Sequence, residues 1–408
     1  MDVEDSPDEA AFRAKAREWI AAHGRFDLVQ AIRAGRLSRM DLVSAARDWQ
    51  RSKFDAGWAC LHWPKAYGGQ EASIMEKIIW DQEEAAVSAL NELVVIGQGM
   101  CAPTLMHYAS DEQKARHLPK IASAEEIWCQ MFSEPSAGSD LAGLRTRAVR
   151  DGDDWVLNGQ KIWTSWAHEA DYGIILTRTD PAAPKHRGLT MFYLDMRSPG
   201  IDVRPIRQAN GDTVFNEVFL SDVRVPDSQR LGDVNQGWRV SLTTLMNERM
   251  SIGSGIPTGL PEILSFVVAL EQSGSGFSAG HAFDDKIADW ACRANGLKYT
   301  SARLISALSQ GREPGPEASI GKLVAGALMQ DIAIETWDLL AGGAPHEDGT
   351  LRDRYNHLHT ILMRAPAVRI EGGTDEILRN IIGERVLGLP AEPRSDKHLP
   401  FNDNSNIH

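Results

Sequence analysis

Positive charge is in short supply. Lys and Arg number 43 against 56 Asp and Glu, a formal charge of −13 with a pI near 5.4. A dedicated nucleic-acid binder needs a basic face, so that class is excluded, while a local basic pocket for an anionic ligand is still allowed. Long apolar runs are missing too. No stretch approaches the ~18 apolar residues needed to span a bilayer, and mean hydropathy is −0.30. The opening residues from Met1 to Glu9 are acidic. They lack the basic region and apolar run of a signal peptide, so a cytoplasmic protein with no membrane partner is expected. Cysteine is scarce: Cys60, Cys101, Cys129 and Cys292 form no C-x-x-C pair and no cluster with histidine. Buried or half-buried free thiols are expected rather than disulfides, zinc ligands or nucleophiles. His357 and His359 lie two apart, which turns them to different faces of a helix and disfavours a metal site.

What is present is ordinary globular composition, with 43% hydrophobic and 24% charged residues, which excludes overall disorder. A chain of 408 residues exceeds one core. Cores stop growing at roughly 250–300 residues, so two or three packed units are expected. The 12 tryptophans bring large apolar areas, each with one N–H that needs a partner when buried. Phe12, Ala16, Trp19 and Ile20 recur at helical spacing, and further helical stretches follow at Leu42–Ala56, Ile74–Leu90 and Asp111–Ile121. Near Trp128 the texture changes. Asn158-Gly159 between two β-prone runs reads as a hairpin turn. Tyr172–Thr177, Leu189–Leu194, Ile201–Ile206 and Val214–Leu220 read as short strands of a small sheet or barrel. From about Val240 helical periodicity returns, through Ile287–Leu308, Ile320–Leu340 and Ile377–Val386. The reading is a multi-domain α+β chain: an N-terminal helical domain (1–127), a middle β-barrel or sheet domain (128–236), a C-terminal helical domain (237–392) and a loosely held polar tail (393–408).

The most informative stretch is Met131-Phe-Ser-Glu-Pro-Ser-Ala-Gly-Ser-Asp-Leu-Ala-Gly143. Small residues crowd it, so backbone N–H groups can approach a planar or anionic ligand. Composition alone does not separate this from a tight Ser/Gly-rich connection between elements. With Asn158-Gly-Gln-Lys-Ile-Trp-Thr-Ser165, Phe215–Leu220, Val223–Pro226, Asn247-Glu-Arg249, Glu371-Gly-Gly-Thr-Asp-Glu-Ile377 and Asn380–Pro390, the chain resembles the acyl-CoA dehydrogenase family. The resemblance covers most of the chain in the right order. It implies an acyl-CoA dehydrogenase-like fold ending in a four-helix bundle, with FAD between the domains. It also implies α,β-dehydrogenation of an acyl-CoA to a 2-enoyl-CoA, with an electron-transfer flavoprotein or similar acceptor.

Carried over position by position, Gln130, Phe132 and Ser133 match the segment lining the flavin ring. Ser139 matches a serine at the mouth of the acyl-CoA site, Trp163 the aromatic against the flavin, and Ser165 a hydroxyl near flavin N5. Thr374 and Glu376 match positions on the ADP part of FAD, and Arg249 an arginine by the active site. The reaction needs a carboxylate base for the α-proton, which burial suits by raising its pKa. Many members carry Glu directly before Gly-Thr; here that position is Gly372, and Glu371 falls one residue early. Isovaleryl-CoA dehydrogenase and its relatives take the base from an earlier helix, directly before an Arg, as in Glu248-Arg249. Glu248 is therefore the assigned base, and the Gly372 N–H the donor to the thioester oxygen together with a flavin ribityl hydroxyl.

Two departures stand out. The Arg-x-x-Phe-Gly segment that reaches the neighbour's FAD pyrophosphate is replaced by Ser273–His281, which has no Arg, and the Gln before the late Gly-Gly turn is missing in Leu339-Leu-Ala-Gly-Gly343. Losing a charge-assisted contact weakens pyrophosphate binding. Some bacterial members, including those acting on sterol side-chain thioesters, are similar in this respect and form heterotetramers, so a homo- or hetero-oligomer is expected. The rival readings are a flavin oxidase on the same fold and a non-catalytic or half-site partner subunit. A hydrolase is disfavoured, since Gly138-Ser139-Asp140 is no Gly-x-Ser-x-Gly elbow.

Overall fold

A computed structural model describes residues 5–253, 259–273, 280–309, 315–340, 349–393 and 398–404. The helices are α1 (Pro7–His23), α2 (Phe26–Arg33), α3 (Arg39–Asp55), α4 (Ile74–Glu84), α5 (Ala102–Tyr108), α6 (Asp111–Ala122), α7 (Gly237–Gly253), α8 (Leu260–Gln272), α9 (His281–Ser309), α10 (Ala318–Leu340), α11 (Gly349–Val368), α12 (Asp375–Arg385) and α13 (Phe401–Asn404). The strands are β1 (Trp128–Met131), β2 (Arg147–Asp151), β3 (Asp154–Lys161), β4 (Tyr172–Arg178), β5 (Leu189–Asp195), β6 (Ile201–Pro205), β7 (Asn216–Pro226) and β8 (Arg230–Leu231). The order is helices, sheet, helices, the fold class read from the sequence. Among the described residues no helix is long and apolar enough to cross a membrane.

Local chemistry explains where elements begin. Ser6 with Glu9, Ser73 with Glu76 and Ser110 with Gln113 form reciprocal capping boxes that start α1, α4 and α6. The strands form one sheet in the order β6-β7-β3-β2-β4-β5-β8, and β1 pairs in parallel with β4.

The hairpin expected at Asn158-Gly159 is not there. β3 runs straight through those residues, and its pairing with β7 shifts register between Leu157 and Gly159. Gly159 has φ +156°, and a Cβ there would lie 2.4 Å from Thr146 Oγ1, so glycine marks a bulge and a close approach rather than a turn. The hairpin turn is Gly152-Asp153, between the paired Asp151 and Asp154 of β2 and β3.

The chain divides into two compact units that cut across the sequence order. The helical unit comprises residues 1–42, 73–89 and 249–391; the sheet unit comprises 43–72, 90–248 and 392–408. In the helical unit, α8, α9, α10 and α11 form a four-helix bundle around Ile263, Phe266, Trp290, Leu328, Ile332 and Leu358. In the sheet unit, one core packs Leu105, Leu118 and Ile121 of α5 and α6 against Trp128, Ile174 and Met191. A second core joins Trp155, Leu157, Phe192, Val218 and Val223.

Two further expectations are corrected. Cys292 is exposed on α9, whereas Cys101 and Cys129 are buried and Cys60 is half-buried. The tail is not loose over residues 398–404: the N–H groups of Phe401 and Asn402 bond to the carbonyls of Ala183 and Pro181 at 3.0 and 3.1 Å.

Candidate active site

In the sheet unit, alternation along β1 buries Cys129 and Met131 and leaves Gln130 half-buried. Its Nε2 donates to Glu248 Oε2 at 3.3 Å, which brings the α7 carboxylate to the face of β1. Gln130 Oε1 is buried with no hydrogen-bond partner among the described residues. A buried amide oxygen left unpaired is costly, and a donor on a bound group would satisfy it.

The next residues, Phe132 and Ser133, are tied down from beneath. Lys161 is fully buried and donates to Phe132 O at 3.0 Å and to Glu134 Oε1 at 2.9 Å. Glu134 also accepts the N–H groups of Arg145 and Thr146 at 2.6 and 2.8 Å. One ion pair thus joins three backbone segments. Burial works against both charges. For Lys161 it prevails and holds the ammonium below the usual lysine range, although Glu134 pulls the other way. For Glu134 the Lys161 charge and the two N–H donors outweigh burial, and the carboxyl is held below the usual range.

Beside this pair, Ile162 N–H donates to Ser133 O at 2.9 Å and leads into Trp163. Trp163 adopts φ +60°, a left-handed backbone uncommon for a bulky residue, and remains 55% exposed, edge-on to Phe215. Asn216 fixes the following turn. Its Nδ2 donates to Thr164 O at 2.9 Å and Val214 O at 3.0 Å, while Thr164 N–H donates to Asn216 O at 3.1 Å. Ser165 is half-buried, and Thr164 Oγ1 is buried with no partner among the described residues.

Ser139 is exposed on a loop that begins with a tight turn, where Glu134 and Ala137 exchange backbone bonds at 3.0 and 3.1 Å. Its neighbour Asp140 is bound by Lys185 Nζ at 3.1 Å. Buried Arg178 donates to the carbonyls of Ala142 and Leu144, at 2.5 and 3.3 Å, at the loop's far end. Burial pulls the Arg178 guanidinium down to about 10, partly offset by Glu134, Asp140 and Asp180.

In the helical unit, Gly372 and Gly373 have φ +60° and +98°, conformations that glycine adopts without strain, and they lead into the N-terminus of α12. Thr374 is the N-cap, accepting Ile377 N–H at 3.3 Å. Lys322 Nζ donates to Gly373 O at 2.5 Å, and buried Asp375 pairs with Arg369 at 2.6 Å. Glu371 is engaged by Arg364 Nη2 through both carboxylate oxygens, at 2.8 and 2.6 Å. Glu376 is exposed, and its own N–H, then Thr374, hold its carboxyl below the usual range.

The structure therefore brings Gln130 and Glu248 together, and joins Phe132 and Ser133 to the Trp163 segment. Gly372, Thr374 and Glu376 follow one another at a helix start. Arg249 lies on α7, and its side chain is outside the described residues, as are 274–279 of the Ser273–His281 segment and 341–343 of the late Gly-Gly turn. His281 is fully exposed beside Asp284 at 3.6 Å.

Lys161, Glu134 and Arg178 did not emerge from the sequence as site residues. A signal for Lys161 was present: strand alternation places it on the inward face with Trp155 and Leu157. Within the sheet unit, an exposed indole, a backbone edge fixed by a buried ion pair and an unsatisfied buried amide oxygen suit a planar, hydrogen-bonding ring. The flavin implied by the sequence motifs fits that description.

Comparison with known proteins covers nearly the whole chain. The acyl-CoA dehydrogenase N-terminal, middle and C-terminal domain profiles match residues 6–125, 129–223 and 235–387. Acyl-CoA dehydrogenase FadE34 of Mycobacterium tuberculosis is 41% identical over 81% of this chain, which spans only 44% of that relative's length. Acyl-CoA dehydrogenase IpdE1 of the same organism is 34% identical over 95% of this chain and 99% of its own. Among solved structures, the Tcur3481-Tcur3483 steroid ACAD has a TM-score of 0.82 at 28% identity, covering 96% of this chain and 100% of its own. The ChsE4-ChsE5 complex from Mycobacterium tuberculosis has a TM-score of 0.77 at 30% identity, again covering 96% and 100%.

Proposed function

The chain belongs to the acyl-CoA dehydrogenase family, whose cofactor is FAD, and from that premise we propose that it dehydrogenates an acyl-CoA thioester to a 2-enoyl-CoA with Glu248 as the base. The observation that carries the assignment is the meeting of Glu248 with Gln130 at the face of β1, where the Gln130 amide donates to the carboxylate at 3.3 Å. Glu371 instead forms an ion pair with Arg364 through both of its oxygens.

Glu248 removes the thioester's α-proton, and the Gln130 amide orients its carboxylate. The Gly372 N–H donates to the thioester oxygen as negative charge gathers there. One such donor is typically worth ~2.7–4 kcal/mol of barrier. FAD, when bound, supplies the two-electron acceptor for the hydride of the β-carbon. Gln130, Phe132, Ser133, Trp163 and Ser165 are assigned to the flavin ring, and Thr374 and Glu376 to the ADP part. Ser139 and Arg249 are assigned to the acyl-CoA. The electrons pass on to an electron-transfer flavoprotein or a similar acceptor.

The test is Glu248→Gln against Glu371→Gln. The first is expected to keep flavin and acyl-CoA binding while abolishing flavin reduction in anaerobic mixing, and the second to retain reduction. The opposite pattern moves the base to Glu371. A panel of thioesters, including steroid acyl-CoAs in view of the steroid ACAD neighbour, then assigns the acyl group by flavin bleaching.

One observation favours a heteromeric assembly: the segment from Ser273 to His281 carries no arginine for the pyrophosphate. A partner chain supplies that clamp in this reading, as the two-protein naming of the ChsE4-ChsE5 complex suggests by analogy. The measurement is flavin content of the chain purified alone and with the product of the adjacent gene. Full FAD occupancy in the pure homomer would rule this assembly out.

A further inference from the structure

The feature that neither the motifs nor the proposed chemistry uses is the last described segment of the chain. Phe401 is half-buried in the sheet unit, and the Arg178 guanidinium carbon lies 3.8 Å from its ring centroid. The segment is laid down by backbone pairing: Pro400 bridges Pro184, and the N–H groups of Phe401 and Asn402 bond to Ala183 and Pro181. It therefore clips onto the loop between β4 and β5.

Arg178 projects from β4 and is buried. Its donors go to three backbone carbonyls: Ala142 at 2.5 Å, Leu144 at 3.3 Å and Lys185 at 3.0 Å. Among the described residues its hydrogen-bond acceptors are uncharged carbonyls, while Glu134, Asp140 and Asp180 act on it through space, and the π face of Phe401 adds attraction in direct contact. From the same β4–β5 loop, Lys185 Nζ reaches both oxygens of Asp140 at 3.1 Å. Phe401 thus caps a guanidinium that holds residues 142 and 144, while the loop beneath Phe401 holds residue 140. Ser139 stands at the start of that length of chain.

We propose that the C-terminal segment is a strap that sets the Ser139–Leu144 loop for CoA binding, with Phe401 and Arg178 as positioning residues. This rests on the reading of Ser139 as the mouth of the acyl-CoA site. The ligand class is the phosphopantetheine thioester, and the strap acts on its affinity rather than on the chemical step. The ring and backbone contacts of Phe401 go to Arg178 and the β4–β5 loop rather than to residues assigned to the flavin ring, so flavin retention is expected to survive its removal.

The experiment uses the full-length flavoprotein and free coenzyme A as the probe, titrated by calorimetry. Phe401→Ala is expected to weaken CoA binding roughly fivefold to tenfold, the scale of one desolvated cation–π contact. Flavin-to-protein ratio and kcat stay unchanged while KM for a thioester rises with Kd. Phe401→Tyr, which keeps the π face, restores binding, and Phe401→Leu, which keeps only apolar bulk, does not. Lys185→Ala changes an outer contact of the same loop without risk to the fold, and weakens binding roughly twofold to threefold, the scale of one surface ion pair. Wild-type Kd in both Phe401→Ala and Lys185→Ala overturns the strap. Absence of CoA binding in the unaltered protein instead overturns the acyl-CoA reading of Ser139, and the strap with it.

Discussion

The buried charges of the sheet unit and the surface ion pairs of the helical unit do different work. In the sheet unit, Lys161, Glu134 and Arg178 are buried and spend their bonds on backbone groups of neighbouring loops. In the helical unit, Lys286–Glu335, Arg293–Asp331 and Arg36–Asp353 join side chains at the surface. Surface pairs contribute little to stability, whereas breaking a buried pair leaves a charge that nothing solvates. The sheet unit accordingly fixes loop geometry with charge, and the bundle fixes helix packing with Leu, Ile and Phe. One place in the helical unit behaves like the sheet unit: at the start of α12, buried Lys322 bonds to Gly373 O, and buried Asp375 beside that turn pairs with the Arg369 side chain. In both units, then, buried charge supports the loops that carry assigned site residues.

The sharpest way to break this contrast is Lys161→Met. It strands Glu134 and is expected to cost about 3–5 kcal/mol in urea unfolding. Adding Glu134→Leu should restore only part of the loss, because the N–H groups of Arg145 and Thr146 then lack an acceptor. Next in size, Thr374→Ala removes the cap of α12 and should cost about 1 kcal/mol, read as a lower Tm. Arg364→Met breaks a pair whose side chains are 34% and 31% exposed, and should cost no more than about 1 kcal/mol. A loss as large as that of Lys161→Met would erase the distinction between the units.

The smallest effect is a difference in acid response. Burial holds His357 of the helical unit below its ordinary 6.5, with Arg33 adding to the shift and Glu262 opposing it. The unfolded chain then takes up the proton more readily, so this contribution is present above 6.5 and declines as pH falls below it. Glu134 is held below 4.5, so its contribution is intact above 4.5 and is lost only as pH falls through the lowered value. Hydrogen exchange followed by peptide should show α11 weakening before β3 as pH decreases. Glu134→Gln should flatten the later, acid limb alone.

Helices with one apolar face were legible in the sequence because burial imposes a period on them. Ile74, Asp111 and Ala318 begin helices close to where periodicity starts. Turn chemistry was less legible. Asn158-Gly159 has the composition of a hairpin turn, yet its glycine is required by contact with Thr146, a residue thirteen positions earlier and on another segment. The segment assigned to the flavin ring was legible as a motif, but its support was not. Lys161 and Glu134 are far apart in sequence, and only the fold makes them partners. The tail misled for the same reason: its composition is polar, and its anchors are backbone bonds to the β4–β5 loop and one aromatic ring on a cation 223 residues away by number, Arg178 to Phe401.

The uneven placement of cysteine has a practical consequence. Burial pushes the Cys129 thiol up to about 12 and raises Cys101 well above its usual range, so neither presents a thiolate to a reagent near neutral pH. Cys292 stands exposed on α9. A maleimide dye or spin label should therefore mark Cys292 on the bundle ahead of half-buried Cys60, while leaving buried Cys101 and Cys129 untouched, giving the native chain an addressable site without an engineered cysteine.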